Sequence, residues 1–279
     1  MKLQRDNTYI FSTLFMLLMI LLDSTSTIRA QEVEDERDFD YIEGSEKGPH
    51  HWGERKQEWA ACKHGNMQSP IDLSTARVKL IPNSPQLNPN YKSSNATILN
   101  RGHDIAIFWK GDVGSIQING TKFFLQQCHW HSPSEHSING RKLALEMHMV
   151  HISPDPKGNQ IAVVGALYQI GQPDPFLSLL EKDIKRMIDV EGETVIGDIL
   201  DPSQIQTRGN MYYRYVGSLT TPPCTEGVIW NIDKEIRTVS EEQVNLLREA
   251  VHDHAEMNAR PMQPHNNRDI HLHQHFQFK

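Results

Sequence analysis

Two short segments of the 279-residue chain place histidines at a spacing that can bind a metal ion. Residues 127–131 read QCHWH, and residues 146–150 read EMHMV. Because side chains alternate between the two faces of a β-strand, His129 and His131 share one face, about 7 Å apart along the chain. If the second segment is a neighbouring strand, His148 faces the same side. Three neutral imidazoles with one position left to water form an open zinc site. The spacing therefore predicts a catalytic zinc site.

A polar acceptor precedes two of these histidines by two residues. Gln127 shares the strand face of His129, and Glu146 shares that of His148. A metal-bound histidine normally donates its other N–H to such a group. An amide or carboxylate at a buried strand position is otherwise costly. The alternative interpretation is that both segments are polar edge strands without a metal.

The other clusters among the fifteen histidines lack these features. Residues 271–275, HLHQH, alternate as well, but no acidic partner stands beside them. Their place near the C-terminus predicts an exposed strand or tail. Residues 50–51 and 252–254 have no obvious third ligand, and His151 falls on the opposite strand face from His148.

The elements that would position these residues are mostly strands. Short apolar or alternating runs are interrupted by Gly, Pro, Asn and Asp, which is typical of β-strands and turns. The runs span residues 96–100, 104–109, 115–118, 122–131, 143–152, 161–170 and 227–232. We therefore expect a mainly β, single-domain protein with a few peripheral helices.

Two stretches have a helical pattern. In the later one, Ser240 and Gln243 form a capping box ahead of apolar residues with helical spacing. In the earlier one, residues 174–188, the apolar positions predict one buried side. That side comprises Phe176, Leu179, Leu180, Ile184, Met187 and Ile188.

The N-terminus has the pattern of a secretory signal peptide, residues 1–30. Lys2 and Arg5 begin it, an apolar run covers residues 9–22, and small polar residues lead to Ala30. The run is shorter than the about 20 residues of a comfortable membrane span, so an uncleaved anchor is the less favoured alternative. Cleavage of the signal peptide would leave the secreted chain without a stable membrane anchor.

The distribution of charge predicts the organisation and the partners of the rest of the chain. Residues 31–38 form an acidic lead-in that we expect to be disordered, and residues 39–279 form the folded domain. With a net charge of −7, the surface disfavours nucleic acid and anionic membranes as partners.

The secretory pathway also allows disulfides and glycans. The chain has three cysteines, so one pair and one leftover thiol is the natural count. Two sequons begin at Asn95 and Asn119, and each can carry a glycan if it lies on the surface.

Several motifs together resemble the alpha-type carbonic anhydrases, in particular the plant members. The matching blocks occur in family order from Gly48 to Pro261, nearly all of the chain after the signal. They are Gly48–Gly53, Gln68–Asp72, Asn100–His103, Gln127–His131, Ser134–His136, Glu146–His151, Tyr215–Cys224, Trp230 and Asn258–Pro261. One block alone is weak, but the ordered set is specific.

The resemblance implies a fold and an activity. The fold would be a large, twisted, mostly antiparallel sheet of about ten strands with zinc in a central cleft. The activity would be reversible hydration of carbon dioxide to bicarbonate and a proton. His129, His131 and His148 would bind the zinc, with Gln127 and Glu146 as their hydrogen-bond partners.

The resemblance also implies roles for residues outside the histidine segments. Thr220 would accept the hydrogen of zinc-bound hydroxide and donate its own to Glu135, so that the hydroxide attacks carbon dioxide. His103 would shuttle protons, and Cys62 and Cys224 would form the disulfide. The residues implied to contact the substrate are Thr220, Thr221, Val150, Val163, Leu219 and Trp230.

Two residues near the implied proton route depart from the pattern of animal members, Arg101 and Ala106. The Arg101 side chain either lies beside His103, where its charge lowers the pKa of the imidazole, or points into solvent, where its charge is screened.

Two other functions compete with carbonic anhydrase activity. A catalytically silent relative with a storage or binding role would normally have lost a zinc ligand, whereas this chain keeps all three. A different zinc hydrolase could use the same site, and an ester assay beside a carbon dioxide assay separates the two. We expect a monomer or weak oligomer in the secretory pathway, extracellular or, as the alternative, delivered to the plastid stroma.

Overall fold

The computed structural model describes residues 38–275, except 88, 155–158, 189, 191, 196–198, 206–209 and 252–254. The expected signal peptide, nearly all of the acidic lead-in and the histidines at 252 and 254 lie outside the described residues. Within that part of the chain, no helix is long and apolar enough to cross a bilayer.

Thirteen of the fifteen strands in the described residues form one sheet, and the remaining two, β7 and β8, form a short ribbon. The strands are β1 Val78–Pro82, β2 Asn90–Tyr91, β3 Ala96–Asn100, β4 Ile105–Trp109, β5 Gly114–Ile118, β6 Thr121–His131, β7 Ser137–Ile138, β8 Arg141–Lys142, β9 Leu145–Ser153, β10 Gln160–Ile170, β11 Gly192–Val195, β12 Met211–Ser218, β13 Glu226–Asp233, β14 Arg237–Val239 and β15 Ile270–Gln274. Each of the seven runs predicted as strands corresponds to one of these elements, and the runs at 104–109 and 143–152 begin slightly before β4 and β9.

The order along the sheet is β1-β15-β12-β13-β10-β9-β6-β4-β3-β11, with β14 beside β10 and the β2–β5 pair beside β6. Most neighbours are antiparallel; β1–β15, β10–β13 and β10–β14 are parallel. The expected mainly β class with a large, mostly antiparallel sheet is confirmed. Strands β6 and β9, which carry the three histidines, lie side by side in its middle, so the alternative of two polar edge strands is excluded.

The two faces of the central strands bury different sets of side chains. Cys128, Trp130, Met147 and Met149 belong to a large apolar cluster that the two longer helices cover. Val150 and the apolar residues of β10 and β13 that share its face belong to a second cluster. The helices are α1 Trp52–Arg55, α2 Ala61–His64, α3 Pro175–Lys185 and α4 Glu241–Ala250, with 3-10 turns at Gln57–Trp59 and Pro202–Gln204.

The two predicted helices are present, with one error in the buried side of α3. Leu179 is 53% exposed, and Leu177 is buried instead. At 3.6 residues per turn, Leu179 points roughly 110° away from the centre of the buried side, beyond the reach of the core. The other predicted members, Phe176, Leu180, Ile184, Met187 and Ile188, are buried or pack against the core. In α4, the capping box of Ser240 and Gln243 is confirmed.

The C-terminal histidine segment is not an exposed strand or tail. It forms β15, which is hydrogen-bonded to β1 on one side and β12 on the other. The ring of His273 stacks on Tyr212 at 4.9 Å between centroids, and its Nδ1 lies 3.0 Å from Ser84 Oγ. Strand β1 comes from early in the chain, and this long-range pairing half-buries the segment.

The expected disulfide between Cys62 and Cys224 is present, and the third cysteine is a buried thiol. The bridge joins residues 162 positions apart. It lies in an apolar cluster with Phe39, Trp52 and Trp59. The bridge therefore ties the N-terminal part of the described chain to the loop that follows β12.

Replacing both bridged cysteines by serine should lower the free energy of unfolding by about 2–5 kcal/mol, because the unfolded chain then loses the constraint of a long closed loop. Denaturant unfolding measures this loss. Labelling of the unreduced, denatured wild type should find one thiol, on Cys128, and Cys128→Ala should keep the bridge. A peptide map that pairs Cys128 with another cysteine would contradict the assignment.

Candidate metal centre

The register of β6 and β9 brings the histidines together. His129 lies directly opposite His148, and His131 lies opposite Glu146. An irregularity in β6 between Leu125 and Gln127 shifts the register just before the histidines. Such bulges redirect side chains, and they are frequent beside active sites. The alternation after it turns the histidines away from the large core.

Each of the three imidazoles uses one ring nitrogen in a 2.8 Å hydrogen bond to an oxygen. The pairs are His129 Nδ1 with Gln127 Oε1, His131 Nδ1 with the carbonyl of Asn258, and His148 Nε2 with Glu146 Oε1. Because amide, carbonyl and carboxylate oxygens accept, those ring nitrogens carry the hydrogens. The ring nitrogens left with a lone pair are therefore Nε2 of His129, Nε2 of His131 and Nδ1 of His148. One ring nitrogen of each histidine lies within 4.8 Å of those of the other two.

These three nitrogens fit a zinc ion. Nε2 of His131 is buried and makes no hydrogen bond within the described structure. A buried polar atom without a partner is rare in folded proteins and needs an explanation. Three neutral nitrogen donors are the ligand set of open, four-coordinate zinc sites. A metal ion bonded to His131 Nε2 accounts for that nitrogen.

A second group of possible metal ligands lies next to the first and consists of His136, Glu146 and His148. Hydrogen bonds link the members of this group to one another. Glu146 accepts from Nδ1 of His136 at 2.7 Å, and Nε2 of His136 lies 2.6 Å from the hydroxyl of Tyr215, which contacts Ser69 Oγ at 2.8 Å. Burial raises the pKa of Glu146, but His136 and His148 outweigh it and hold that pKa well below its ordinary value. The carboxylate is therefore ionised, and it orients both imidazoles.

Glu135 is fully buried close to the three histidines. Its Oε1 accepts from the backbone N–H of Arg260 at 2.9 Å, whereas its Oε2 makes no hydrogen bond within the described structure. That oxygen is 3.7 Å from Nε2 of His131. The Arg260 guanidinium in turn donates to Gln68 and to the carbonyl of Cys62. Glu135 is thus anchored through Arg260 to the disulfide region.

The loop after β12 holds the two threonines expected at the site. Thr220 and Thr221 are 2% and 1% exposed. The Thr221 hydroxyl is a further buried polar atom without a hydrogen-bond partner in the described structure. The backbone carbonyl of Ser218, at the end of β12, accepts a hydrogen bond from the Trp230 indole N–H at 2.9 Å. The backbone N–H groups of Ser218 and Ser69 each donate to the hydroxyl of the other residue.

An apolar wall adjoins the histidines. Val150, Val163 and Trp230 occupy facing positions on β9, β10 and β13. With Leu219 they belong to the second apolar cluster. The Trp230 ring lies 4.7 Å from that of His148. The four apolar residues among the six expected to contact the substrate are therefore gathered on the face that carries the histidines.

A family model described as eukaryotic-type carbonic anhydrase matches residues 47–274. The chain belongs to this family.

Individual carbonic anhydrase relatives match almost the whole chain. Carbonic anhydrase Nec1 of Nesocodon mauritianus is 52% identical over 267 residues, which cover 95% of this chain and 96% of the relative. Alpha carbonic anhydrase 7 of Arabidopsis thaliana is 49% identical over 262 residues, 94% of either chain. A solved structure described as dioscorin complexed with ascorbate is 42% identical, with a TM-score of 0.82, and the match covers 86% of this chain and 99% of that one.

The residue expected to shuttle protons, His103, is 2% exposed. Asn258 connects it to the metal centre: its Nδ2 donates to the His103 carbonyl at 2.7 Å, while its own carbonyl accepts from His131. The ring of Phe39 packs against the imidazole at 5.0 Å between centroids. His103 is therefore held near the ligands and beneath a cover of protein.

The expectation that Arg101 points into solvent is wrong. Arg101 does not point into solvent: it is 5% exposed, and its Nε contacts Asp104 Oδ1 at 2.7 Å. Its charge is offset by that carboxylate, so it does not face His103 as an isolated cation. Burial raises the pKa of Asp104, but Arg101 and His103 outweigh it and keep that pKa far below its ordinary value.

Several residues of the site were not assigned a role from the sequence. Asn258 bonds to His131, His136 to Glu146, and Arg260 to Glu135. Tyr215 bonds to His136, and Ser69 bonds to Tyr215. All five fall in the motif blocks that resemble the carbonic anhydrases. That resemblance was the available signal, because their partners lie far away in the chain.

Proposed function

We propose that this chain is a zinc-dependent carbonic anhydrase that reversibly hydrates carbon dioxide to bicarbonate and a proton. The observation that carries the proposal is the set of three imidazoles, each oriented by an oxygen acceptor, with their metal-binding nitrogens converging beside an apolar wall. His129, His131 and His148 would hold the zinc. A zinc ion in such a site lowers the pKa of a bound water into the neutral range, for which carbonic anhydrase is itself the standard example.

Glu135 and Thr220 would orient the reacting groups. An ionised carboxylate only accepts hydrogen bonds, and one oxygen of Glu135 is already used by the Arg260 N–H. The other oxygen would accept the hydroxyl hydrogen of Thr220. The Thr220 oxygen must then accept a hydrogen from the nucleophile, which aligns the nucleophile for attack.

The apolar wall suits the substrate. Carbon dioxide has no net charge and no dipole, so Val150, Val163, Leu219 and Trp230 would bind it weakly by apolar contact. Bicarbonate is charged and prefers water, because an apolar surface cannot replace its hydration. The Thr221 hydroxyl would offer a hydrogen bond to substrate or product. The same wall would therefore admit the substrate and release the product.

His103 would carry the proton out of the site, because an ordinary imidazole titrates near neutral pH. His103→Ala should keep zinc and kcat/KM but lower kcat in weak buffer by roughly tenfold, since the proton has lost its carrier. Stopped-flow hydration measures both constants, and added imidazole should restore kcat. His50→Ala, a change at an exposed histidine, is the control. Full turnover of His103→Ala in weak buffer would assign the shuttle to another group.

A comparison of two reactions separates this function from its rivals. The purified, zinc-loaded chain is assayed for carbon dioxide hydration and for ester hydrolysis. A carbonic anhydrase should show fast hydration, with ester cleavage as a slower side reaction. Ester cleavage without hydration would indicate a different hydrolase, and neither reaction would indicate a silent relative.

We further propose that the protein enters the secretory pathway through a signal peptide at residues 1–30 and is extracellular. The Cys62–Cys224 bridge supports an oxidising compartment. The side chains of Asn95 and Asn119 are exposed, and Asn119 lies in the tight turn between β5 and β6. Both sites are therefore open to glycosylation.

A further inference from the structure

A buried ion pair next to the metal centre has no role in the mechanism proposed so far. The Arg101 guanidinium contacts the Asp104 carboxylate at two points: Nε meets Oδ1, and Nη2 meets Oδ2. The two side chains are 2% and 0% exposed. The backbone N–H of Arg101 also donates to the Asp104 carbonyl at 2.9 Å. Main chain and side chains together therefore fix this turn.

His103 lies inside that turn. Its Nε2 is 3.6 Å from Oδ2 of Asp104, a distance for ionic contact rather than a hydrogen bond. Asn258 holds the backbone of His103, and Phe39 packs on its ring. A carboxylate this close attracts the protonated imidazole. Asp104 is thus a charged group placed to hold the ring in one orientation.

We propose that Asp104 is a positioning residue for His103 and that Arg101 holds the Asp104 carboxylate in place. The inference rests on the proposed function, because it concerns the proton route of carbon dioxide hydration. Asp104 itself stays ionised and takes no proton. The proton that arrives on the His103 imidazole leaves to buffer, and the ring returns to its neutral form.

Each partner of the pair needs the other. A buried carboxylate without Arg101 would be strongly destabilising, as would a buried guanidinium without Asp104. An uncompensated Arg101 would also repel a protonated His103. The pair therefore places the Asp104 carboxylate beside the imidazole and the opposite charge of Arg101 against that carboxylate.

The test replaces the ion pair by a neutral pair, Arg101→Gln with Asp104→Asn. The matched control is Arg237→Gln with Asp233→Asn, a second, largely buried pair with 3.4 Å between charged atoms. Zinc content and kcat/KM should match wild type in both. In weak buffer kcat should fall by roughly fivefold in the first variant only, and imidazole buffer should restore it. A merely structural role would move kcat and kcat/KM together.

Two further variants make the result decisive. The neutral pair in a His103→Ala background should cause no additional loss of kcat, because a positioning residue acts only through the group it positions. If the neutral pair does not fold, Arg101→Lys keeps the charge, loses the two-point contact, and should show the same selective loss of kcat. If the wild type is active and kcat is unchanged in these variants, this inference is wrong and the proposed function is unaffected. If the zinc-loaded wild type does not hydrate carbon dioxide, the proposed function is wrong as well.

Discussion

Replacing His131 with alanine should remove zinc and reduce carbon dioxide hydration to the background rate. An open zinc site has only three protein ligands, so the loss of one leaves two, too few to hold the ion. Metal analysis measures zinc per chain, and stopped-flow hydration measures activity. We expect the same outcome for His129→Ala and His148→Ala.

The matched control for this change is His151→Gln. His151 lies on β9 with His148 but on the other face, where it contacts the Tyr91 hydroxyl at 2.7 Å and the Met149 carbonyl at 3.0 Å. Burial lowers the pKa of His151 to about 4, so it is neutral at physiological pH. The control should lose roughly 1–3 kcal/mol of stability and keep zinc and activity. A His131→Ala protein that hydrates carbon dioxide without metal would contradict the proposed mechanism.

Replacing Glu135 with glutamine should lower kcat/KM by roughly a hundredfold, because a small misorientation of reacting groups costs that much. Glutamine keeps the size of the side chain, and its oxygen can still accept the Arg260 N–H. Its amide nitrogen would donate a hydrogen where Thr220 needs an acceptor. The Thr220 hydroxyl would then turn away, and the nucleophile would lose its alignment. Zinc content and thermal unfolding should change little.

Glu226→Gln provides the control for that substitution. The Glu226 carboxylate also accepts a backbone N–H, that of Met67 at 2.6 Å, and lies near the Cys62–Cys224 bridge instead of the histidines. Both variants lose one negative charge and keep their shape. Only Glu135→Gln should lose hydration; equal activity in the two variants would show that Glu135 does not orient the reaction.

The convergence of the three histidines and the positions of two of their partners could be predicted because the information is local. A strand alternates its side chains whatever it pairs with, so His129, His131 and their neighbour Gln127 share a face in any sheet. The same holds for Glu146 and His148. The hydrogen bonds of Gln127 and Glu146 then span only two residues.

The hydrogen-bond partner of His131 could not be predicted from residue types. His131 bonds to the backbone carbonyl of Asn258, 127 residues later. Every residue has a carbonyl, so no side chain marks that acceptor in the sequence. Glu135 likewise depends on a backbone N–H, that of Arg260, 125 residues later. Such contacts follow from the path of the whole chain.

Predictions failed where tertiary contacts decide whether a residue is buried. The segment 271–275 was predicted to be an exposed strand or tail, yet pairing with β1 and β12 makes it a half-buried part of the sheet. The Arg101–Asp104 pair differs, because its two residues are only three positions apart and the sequence already places them close together. The burial of their side chains depends on the rest of the fold and could not be seen in the sequence.

The measurement that tests the central claim most directly is a zinc titration of the metal-free protein, followed by carbon dioxide hydration. We predict that activity is absent without metal, rises linearly with added zinc and stops rising at one zinc per chain. His148→Ala should remain inactive over the same range, while His151→Gln should follow the wild type. Hydration by the metal-free wild type, or a wild type that binds one zinc at the three histidines and does not hydrate carbon dioxide, would contradict the proposed function.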